Sequence, residues 1–173
     1  QTIGHVLVLY RPSEENKIKI LIEGNSEDYY KNVDESFKIV EKLDKNKYEI
    51  IYLSYKGDPK DWYRVDKFYN KIPHEKVSKV YREAHILLKT SILESFSYPP
   101  LEMMATGGIS VVIPNSGNVE YLKNEENCLF FKQGNIDEAV KCIEKIVNNV
   151  ELREKIIRNG LNTVKEREWR KIE

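Results

Sequence analysis

Short runs of apolar, β-branched residues alternate along the chain with longer segments in which apolar residues recur every three or four positions. The runs have the length of strands, and the longer segments have the period of amphipathic helices. This alternation predicts an α/β fold, a doubly wound and mostly parallel sheet with helices on both faces. The predicted strands are 5–10, 17–22, 48–53, 65–69, 85–89, 109–113 and 128–131.

The helical segments carry start and stop signals. Asn32 precedes the first helix with Glu35 three residues further on, which predicts a capping side chain. Pro99 and Pro100 suit a first helical turn, since proline lacks the donor that would be unsatisfied there. The predicted helices are 33–43, 73–84, 99–105, 119–122, 136–147 and 151–164.

Composition narrows the classes of function. The chain has 173 residues, enough for a single domain that folds alone, and its 28 Lys+Arg balance its 28 Asp+Glu. A net charge of zero argues against nucleic-acid binding, which needs a clustered basic excess. No membrane span or signal peptide is evident, so we expect a cytoplasmic protein, with any peripheral membrane contact made through another domain. Cys128 and Cys142 lack metal-ligand spacing, and we interpret both as core thiols.

Candidate chemistry lies in the loop that follows strand 85–89, because ligands of doubly wound sheets bind beyond the carboxyl ends of the strands. Glu94 precedes a turn of small residues, and Glu102 lies in the first turn of the next helix. Helix N–H groups attract phosphate, and carboxylates accept hydrogen bonds from sugar hydroxyls. Spacing alone is weak evidence, since acidic residues are numerous and a first-turn Glu also complements the helix dipole.

The wider context of this loop strengthens the functional interpretation. The segment Glu94-Ser-Phe-Ser-Tyr-Pro-Pro-Leu-Glu102-Met-Met-Ala-Thr-Gly-Gly108, followed by Val111-Val112 and Gly117-Asn-Val-Glu-Tyr121, resembles the signature of group 1, or family four, retaining glycosyltransferases. The resemblance implies a GT-B fold of two Rossmann-like domains. Residues 1–173 would form the second, donor-binding domain, and the N-terminal acceptor domain would be absent from this chain.

The resemblance also implies roles for individual residues. Glu94 would contact hydroxyls of the donor sugar and Glu102 the ribose, while the amides of Phe96 and Ser97 would hold the diphosphate. The family places a Lys on the diphosphate at the position of Lys31, and we interpret Glu94 and Lys31 as the catalytic pair. The expected donor-binding residues are Gly24, Asn25, Phe96, Ser97, Glu102, Ser116 and Gly117.

The sequence departs from the family pattern at the phosphate-binding positions. Asn25 stands where the family has Arg, so either another cation substitutes, with Arg11 as a candidate, or the diphosphate is held less tightly. Ser95 and Ser97 stand where relatives have glycine, and a Cβ there restricts φ and the approach of ligand. Without the resemblance, Lys31 reads equally well as a solvated lysine, and the turn at 115–117 as merely a turn.

The resemblance therefore implies a retaining glycosyltransferase domain that takes a nucleoside diphosphate sugar and passes the sugar to an acceptor hydroxyl. The acceptor, a glycan, lipid or protein, would be bound by the missing domain. No cofactor or metal is expected, and the chain contains no Asp-x-Asp pair. One alternative remains open, a non-catalytic nucleotide- or sugar-binding module of the same fold. A response-regulator or flavodoxin-like domain is disfavoured, because the first strand lacks a terminal acidic pair.

Overall fold

The computed structural model describes residues 15–170, with side chains through residue 168. The predicted strand at 5–10 and the candidate cation Arg11 lie outside the described residues.

One parallel sheet forms the centre of the described part of the chain. Its order is β3-β2-β1-β4-β5-β6, and every pairing between neighbours is parallel. Ile20 of β1 pairs with Ile50 of β2 on one side and with Ile86 of β4 on the other. The strand order reverses between β1 and β4, which makes this pair the topological switch point of the sheet. The strands are β1 Ile18–Glu23, β2 Tyr48–Ser54, β3 Lys67–Asn70, β4 Ile86–Lys89, β5 Ile109–Val112 and β6 Leu129–Phe130.

Helices cover both faces of the sheet, as predicted. Successive β1 residues point to opposite faces, so Ile20 and Ile22 pack in a core with α1 and α4 while Leu21 packs against α2. The last helix, α5, contributes Ile156 to the first core, and its later turns pack beside α3. The helices are α1 Val33–Glu41, α2 His74–Glu83, α3 Pro99–Ala105, α4 Ile136–Asn148 and α5 Val150–Arg170.

The element boundaries agree with the sequence pattern to within a few residues, with two larger differences. The predicted helix at 119–122 is wrong, because this segment is a run of turns held by side-chain amides. Asn118 Nδ2 donates to the carbonyl of Ile113 at 3.1 Å, and Asn127 Nδ2 donates to that of Tyr121 at 2.8 Å. The last helix continues past the predicted end to Arg170.

Two predictions from composition can be compared with the described residues. Cys128 and Cys142 are free thiols, the first fully buried and the second only half-buried. Burial raises the pKa of the Cys128 thiol to about 12, which keeps it protonated. No helix within residues 15–170 has the length and apolar character needed to cross a membrane.

Candidate functional site

The loops that follow β1, β4 and β5 meet at the carboxyl edge of the sheet, and we refer to the region between them as the crevice. Backbone and side-chain hydrogen bonds join these three loops. Ile92 N–H donates to the Tyr30 carbonyl at 2.9 Å, and Asn115 Nδ2 donates to the Ser91 carbonyl at 2.9 Å. The crevice is therefore a fixed arrangement of loops at the switch point, where the fold class places ligands.

Lys31 and Glu94, the predicted catalytic pair, meet in this crevice. Lys31 Nζ donates to Glu94 Oε1 at 2.8 Å, and both side chains are largely buried. Burial lowers the pKa of Lys31, but the hydrogen bond to Glu94 and the charge of Glu23 outweigh it, so the pKa lies above the ordinary value. Burial raises the pKa of Glu94, but the lysines beside it hold that pKa below its usual range. Both groups are therefore charged at neutral pH.

Gly24 allows Lys31 to reach this position. It follows β1 directly and has a φ of 142°, a conformation that favours glycine. A Cβ at Gly24 would lie 3.1 Å from Val33 Cγ2 and 3.4 Å from Lys31 Cβ. The close approach of the loop backbone to Lys31 explains why glycine occupies this predicted donor-binding position.

Asn32 fixes the loop that carries Lys31, although not by the predicted side-chain cap. Its backbone is left-handed, with a φ of 51°, and its side chain makes no cap hydrogen bond to helix α1. Instead, Nδ2 donates to Glu35 Oε2 at 2.6 Å and to the Thr90 carbonyl at 3.1 Å. Thr90 Oγ1 returns a hydrogen bond to the Asn32 carbonyl at 2.7 Å. This exchange ties the Lys31 loop to the segment that leads to Glu94.

Asn25, at the position of the family's Arg, uses its side chain within the loop. Its Oδ1 accepts hydrogen bonds from the Lys56 and Tyr55 amides at 2.8 and 3.2 Å, and its Nδ2 donates to Asp28 Oδ2 at 2.9 Å. These contacts organise the loops after β1 and β2. In this conformation the Asn25 side chain is engaged in loop structure, and it supplies no positive charge to the crevice.

Two charged residues that sequence reasoning missed form the floor of the crevice. Glu23 ends β1 and Lys89 ends β4, and their side chains are only 10% and 1% exposed. Lys89 Nζ donates to Glu23 Oε2 at 2.5 Å and also lies 3.6 Å from Glu94 Oε1. A charged residue at the carboxyl end of an otherwise apolar strand is the signal that could have identified both.

The loop before α3 differs from the predicted phosphate cradle. The Ser97 amide donates to the Gly117 carbonyl at 2.9 Å, so it is not available to a diphosphate in this conformation. The Ser97 hydroxyl is buried, and the Ser97 carbonyl accepts a hydrogen bond from the Tyr121 hydroxyl. The ring of Phe96 packs edge-on against Tyr98 and lies under the Arg167 guanidinium, at 5.6 Å from its centre.

The start of α3 also offers fewer donors than we expected. Pro99 and Pro100 occupy its first positions and have no N–H, and the Glu102 amide already donates to the Tyr98 carbonyl at 3.0 Å. An anion in this crevice would therefore rely on cationic side chains more than on helix amides.

Glu102 lies in the first turn of α3, where Tyr81 and Glu23 are near enough to affect its ionisation. Burial raises the pKa of this carboxyl, and the charge of Glu23 raises it further. Glu102 is therefore close enough to Glu23 for the two charges to interact.

The turn after β5 closes the site beside Glu94. A Cβ at Gly117 would lie 2.6 Å from the Glu94 carbonyl oxygen and 2.7 Å from Glu94 Cβ, so only glycine fits. Ser116 Oγ lies 3.4 Å from the same carbonyl, as its donor. The structure thus brings the predicted residues Ser116 and Gly117 into contact with Glu94. Within the described residues, no group of three His, Cys, Asp or Glu is arranged to hold a metal ion.

Comparison with protein families gives a match over most of the chain. The model of the family described as glycosyl transferases group 1 matches residues 11–163. No match to a curated protein sequence was found.

Several solved structures share the fold at low sequence identity. The C-terminal domain of LpcC, a glycosyl transferase group 1 family protein from Francisella tularensis, has a TM-score of 0.71 and 18% identity, over 86% of this chain and 85% of that one. HepE from Anabaena, in complex with UDP-glucose, has a TM-score of 0.76 and 15% identity, over 89% of this chain and 45% of HepE.

TarM from S. aureus, in a complex that includes UDP, has a TM-score of 0.70 and 17% identity, over 86% of this chain and 32% of TarM. The chain thus spans less than half the length of HepE and TarM, and it matches a single domain of LpcC almost completely.

Proposed function

This chain belongs to the glycosyl transferases group 1 family, and from that premise we propose that it is the donor-binding domain of a retaining glycosyltransferase. Its Rossmann-like fold is that of one half of a GT-B enzyme. The proposed reaction transfers a sugar from a nucleoside diphosphate sugar to an acceptor hydroxyl.

The observation that carries this proposal is the contact of Lys31 with Glu94 at the β1–β4 switch point, with Glu102 in the first turn of the helix that follows. Lys31 would bind the diphosphate, because a flexible ammonium is a suitable partner for phosphate oxygens. Glu94 would accept hydrogen bonds from hydroxyls of the donor sugar, and Glu102 from those of the ribose. These residues would thus contact three of the four parts of the donor: the sugar, the diphosphate and the ribose, but not the base.

Catalysis would depend on charge at the leaving group. When the bond between sugar and diphosphate breaks, negative charge builds up on the diphosphate, and a cation held in a partly buried site stabilises that charge. Lys31 would provide this stabilisation without a metal ion. The acceptor, whether glycan, lipid or protein, would be bound by a separate N-terminal domain, and we place the protein in the cytoplasm.

Calorimetric titration of the 173-residue chain with UDP, GDP, ADP and dTDP tests the donor site. We expect binding to at least one of them, and Lys31→Ala and Glu102→Ala should each weaken it by about 1–3 kcal/mol, the range for a lost charged hydrogen bond. Lys67→Ala is the matched control, because Lys67 lies on β3 at the far edge of the sheet. Absence of binding to all four, or binding indifferent to both changes, would overturn the donor site.

The alternative of a non-catalytic module requires a different measurement. In a longer protein that contains this chain and an acceptor domain, release of diphosphate from a bound donor would distinguish the two. Tight donor binding without transfer or hydrolysis would favour the module.

A further inference from the structure

Four charged side chains alternate in sign through the crevice, in the order Glu23, Lys89, Glu94 and Lys31. The Lys89 ammonium is 2.5 Å from Glu23 Oε2 and 3.6 Å from Glu94 Oε1, and the Lys31 ammonium is 2.8 Å from the same Glu94 oxygen. One carboxylate oxygen therefore faces two lysines. The sum of these four charges is zero, which lowers the cost of burying them.

The proposed function requires this arrangement to change. If Lys31 moves to the diphosphate, Glu94 loses its closest counter-ion while its side chain is still only 11% exposed. A carboxylate without a partner in such a site is costly, and the negative Glu23 on the same floor adds to that cost. Without another cation, Glu94 would hold Lys31 in place and compete with the donor for it.

We propose that Lys89 is a positioning residue that acts as the permanent counter-ion of Glu94, so that Lys31 can transfer from Glu94 to the diphosphate of the donor. This inference rests on the proposed function.

The two lysines differ in the way this division of roles requires. The Lys89 side chain is 1% exposed, and its ammonium contacts both the carboxylate and, at 3.2 Å, the carbonyl of Glu23. It is anchored to the end of the neighbouring strand and cannot follow a ligand into the crevice. The Lys31 side chain is 20% exposed and stands on a single 3₁₀ turn, Tyr29–Lys31, which leaves it able to reorient.

A titration without ligand tests the counter-ion role. Lys31→Met imitates the departure of Lys31, and Glu23→Gln neutralises the other partner of Lys89, so that removing Lys89 leaves no lone carboxylate on the floor. We expect Lys89→Met in this double-variant background to raise the pKa of Glu94 by about one unit or more. Carboxyl ¹³C NMR measures this pKa. Lys67→Met in the same background is the control and should leave that pKa unchanged. A Glu94 pKa indifferent to Lys89 would overturn the proposal.

Calorimetry then tests the exchange, with whichever of UDP, GDP, ADP and dTDP binds the parent chain most tightly. Compared with Glu23→Gln alone, Glu23→Gln/Lys89→Met should bind the diphosphate more weakly, on the order of tenfold. Adding Glu94→Gln should restore the affinity, because nothing then holds Lys31 back.

The outcomes separate this inference from the proposed function. If the parent binds no diphosphate, the proposed function fails and the exchange fails with it, while the titration alone decides whether Lys89 balances Glu94. If the parent binds but Glu94→Gln does not restore the affinity, the exchange is overturned and the donor site stands.

Discussion

The crevice pair Lys89–Glu23 and the edge pair Lys67–Glu83 have the same contact distance in two different environments. The ammonium and carboxylate oxygen are 2.5 Å apart in both. The side chains of the crevice pair are 1% and 10% exposed, and those of the edge pair are 45% and 32% exposed. Water screens the charges of the edge pair. In the crevice pair, each charge has lost its hydration and is stabilised by its partner instead. The distance between two charges therefore does not indicate their importance, whereas their burial does.

The neighbours of the two pairs differ as well. The edge pair is accompanied by Tyr69, whose hydroxyl donates to Glu83 Oε2 at 2.7 Å. The crevice pair is continued by Glu94 and Lys31, both candidates for donor contact. Loss of a crevice charge should thus affect both stability and ligand binding, and loss of an edge charge should affect neither strongly.

The largest expected effect is the loss of stability in Lys89→Met. This change leaves the Glu23 carboxylate buried without its cation, and we expect it to lower the free energy of unfolding by about 3–5 kcal/mol. Lys67→Met should cost less than about 1 kcal/mol. Urea unfolding measures both, and high salt should reduce only the smaller loss, because it screens exposed charges. Equal losses in the two variants would remove the distinction between the pairs.

Two glycines extend the comparison from charges to the backbone, and we expect their substitution to have an effect of intermediate size on stability. Gly117→Ala would place a Cβ 2.6 Å from the Glu94 carbonyl, and we expect a loss of about 1–3 kcal/mol together with weaker nucleotide binding. Gly134 has a φ of 82°, but a Cβ there would have no atom beyond its chain neighbours within 4 Å, so Gly134→Ala should cost about 1 kcal/mol through backbone strain alone. Unfolding and calorimetry check both variants. Unchanged nucleotide affinity in Gly117→Ala would separate this turn from the site.

The smallest expected effect is on the pH dependence of stability, where two crevice carboxylates act with opposite sign. The pKa of Glu94 is lowered in the folded state, so its contribution is complete above the unfolded value and is lost as pH falls through the folded value. The pKa of Glu102 is raised in the folded state, so ionisation of this carboxyl reduces stability as pH rises from its unfolded pKa through its folded pKa. In unfolding measured from pH 3 to pH 7, a range of about four units, Glu94→Gln should lose less stability at acid pH than the parent does.

Glu102→Gln should instead raise the free energy of unfolding near neutral pH, and it should weaken nucleotide binding. The carboxylate of the parent would then reduce stability because its position serves ligand binding. A destabilised Glu102→Gln would mean that the contact with Tyr81 outweighs the burial of the charge.

Much of the fold could be predicted from the sequence because its signals are local. A strand buried on both faces needs consecutive apolar residues, as at 20–22 in β1, and an amphipathic helix needs apolar residues on one stripe, as in Ile136–Asn148. The turns at 119–122 could not be predicted in this way, because the side chains of Asn118 and Asn127 compete with helical hydrogen bonding.

The candidate site was predictable only where a motif carries it. The segment from Glu94 to Glu102 is contiguous, and its place after an apolar strand was sufficient to suggest a ligand. Availability of the Ser97 amide was not predictable, because its partner, the Gly117 carbonyl, comes from a different loop. The same applies to Asn25, whose partners follow β2.

The sequence by itself determined the alternation of strands and helices, the position of the carboxylate-bearing loop and the likeness to group 1 glycosyltransferases. Only the tertiary structure decided which charges meet. Glu23 and Lys89 are 66 positions apart, and they are in contact because β1 and β4 are neighbours in the sheet and end at the same edge. Strand order is set by how crossover helices pack on the two faces, a property of the whole core that no single segment records.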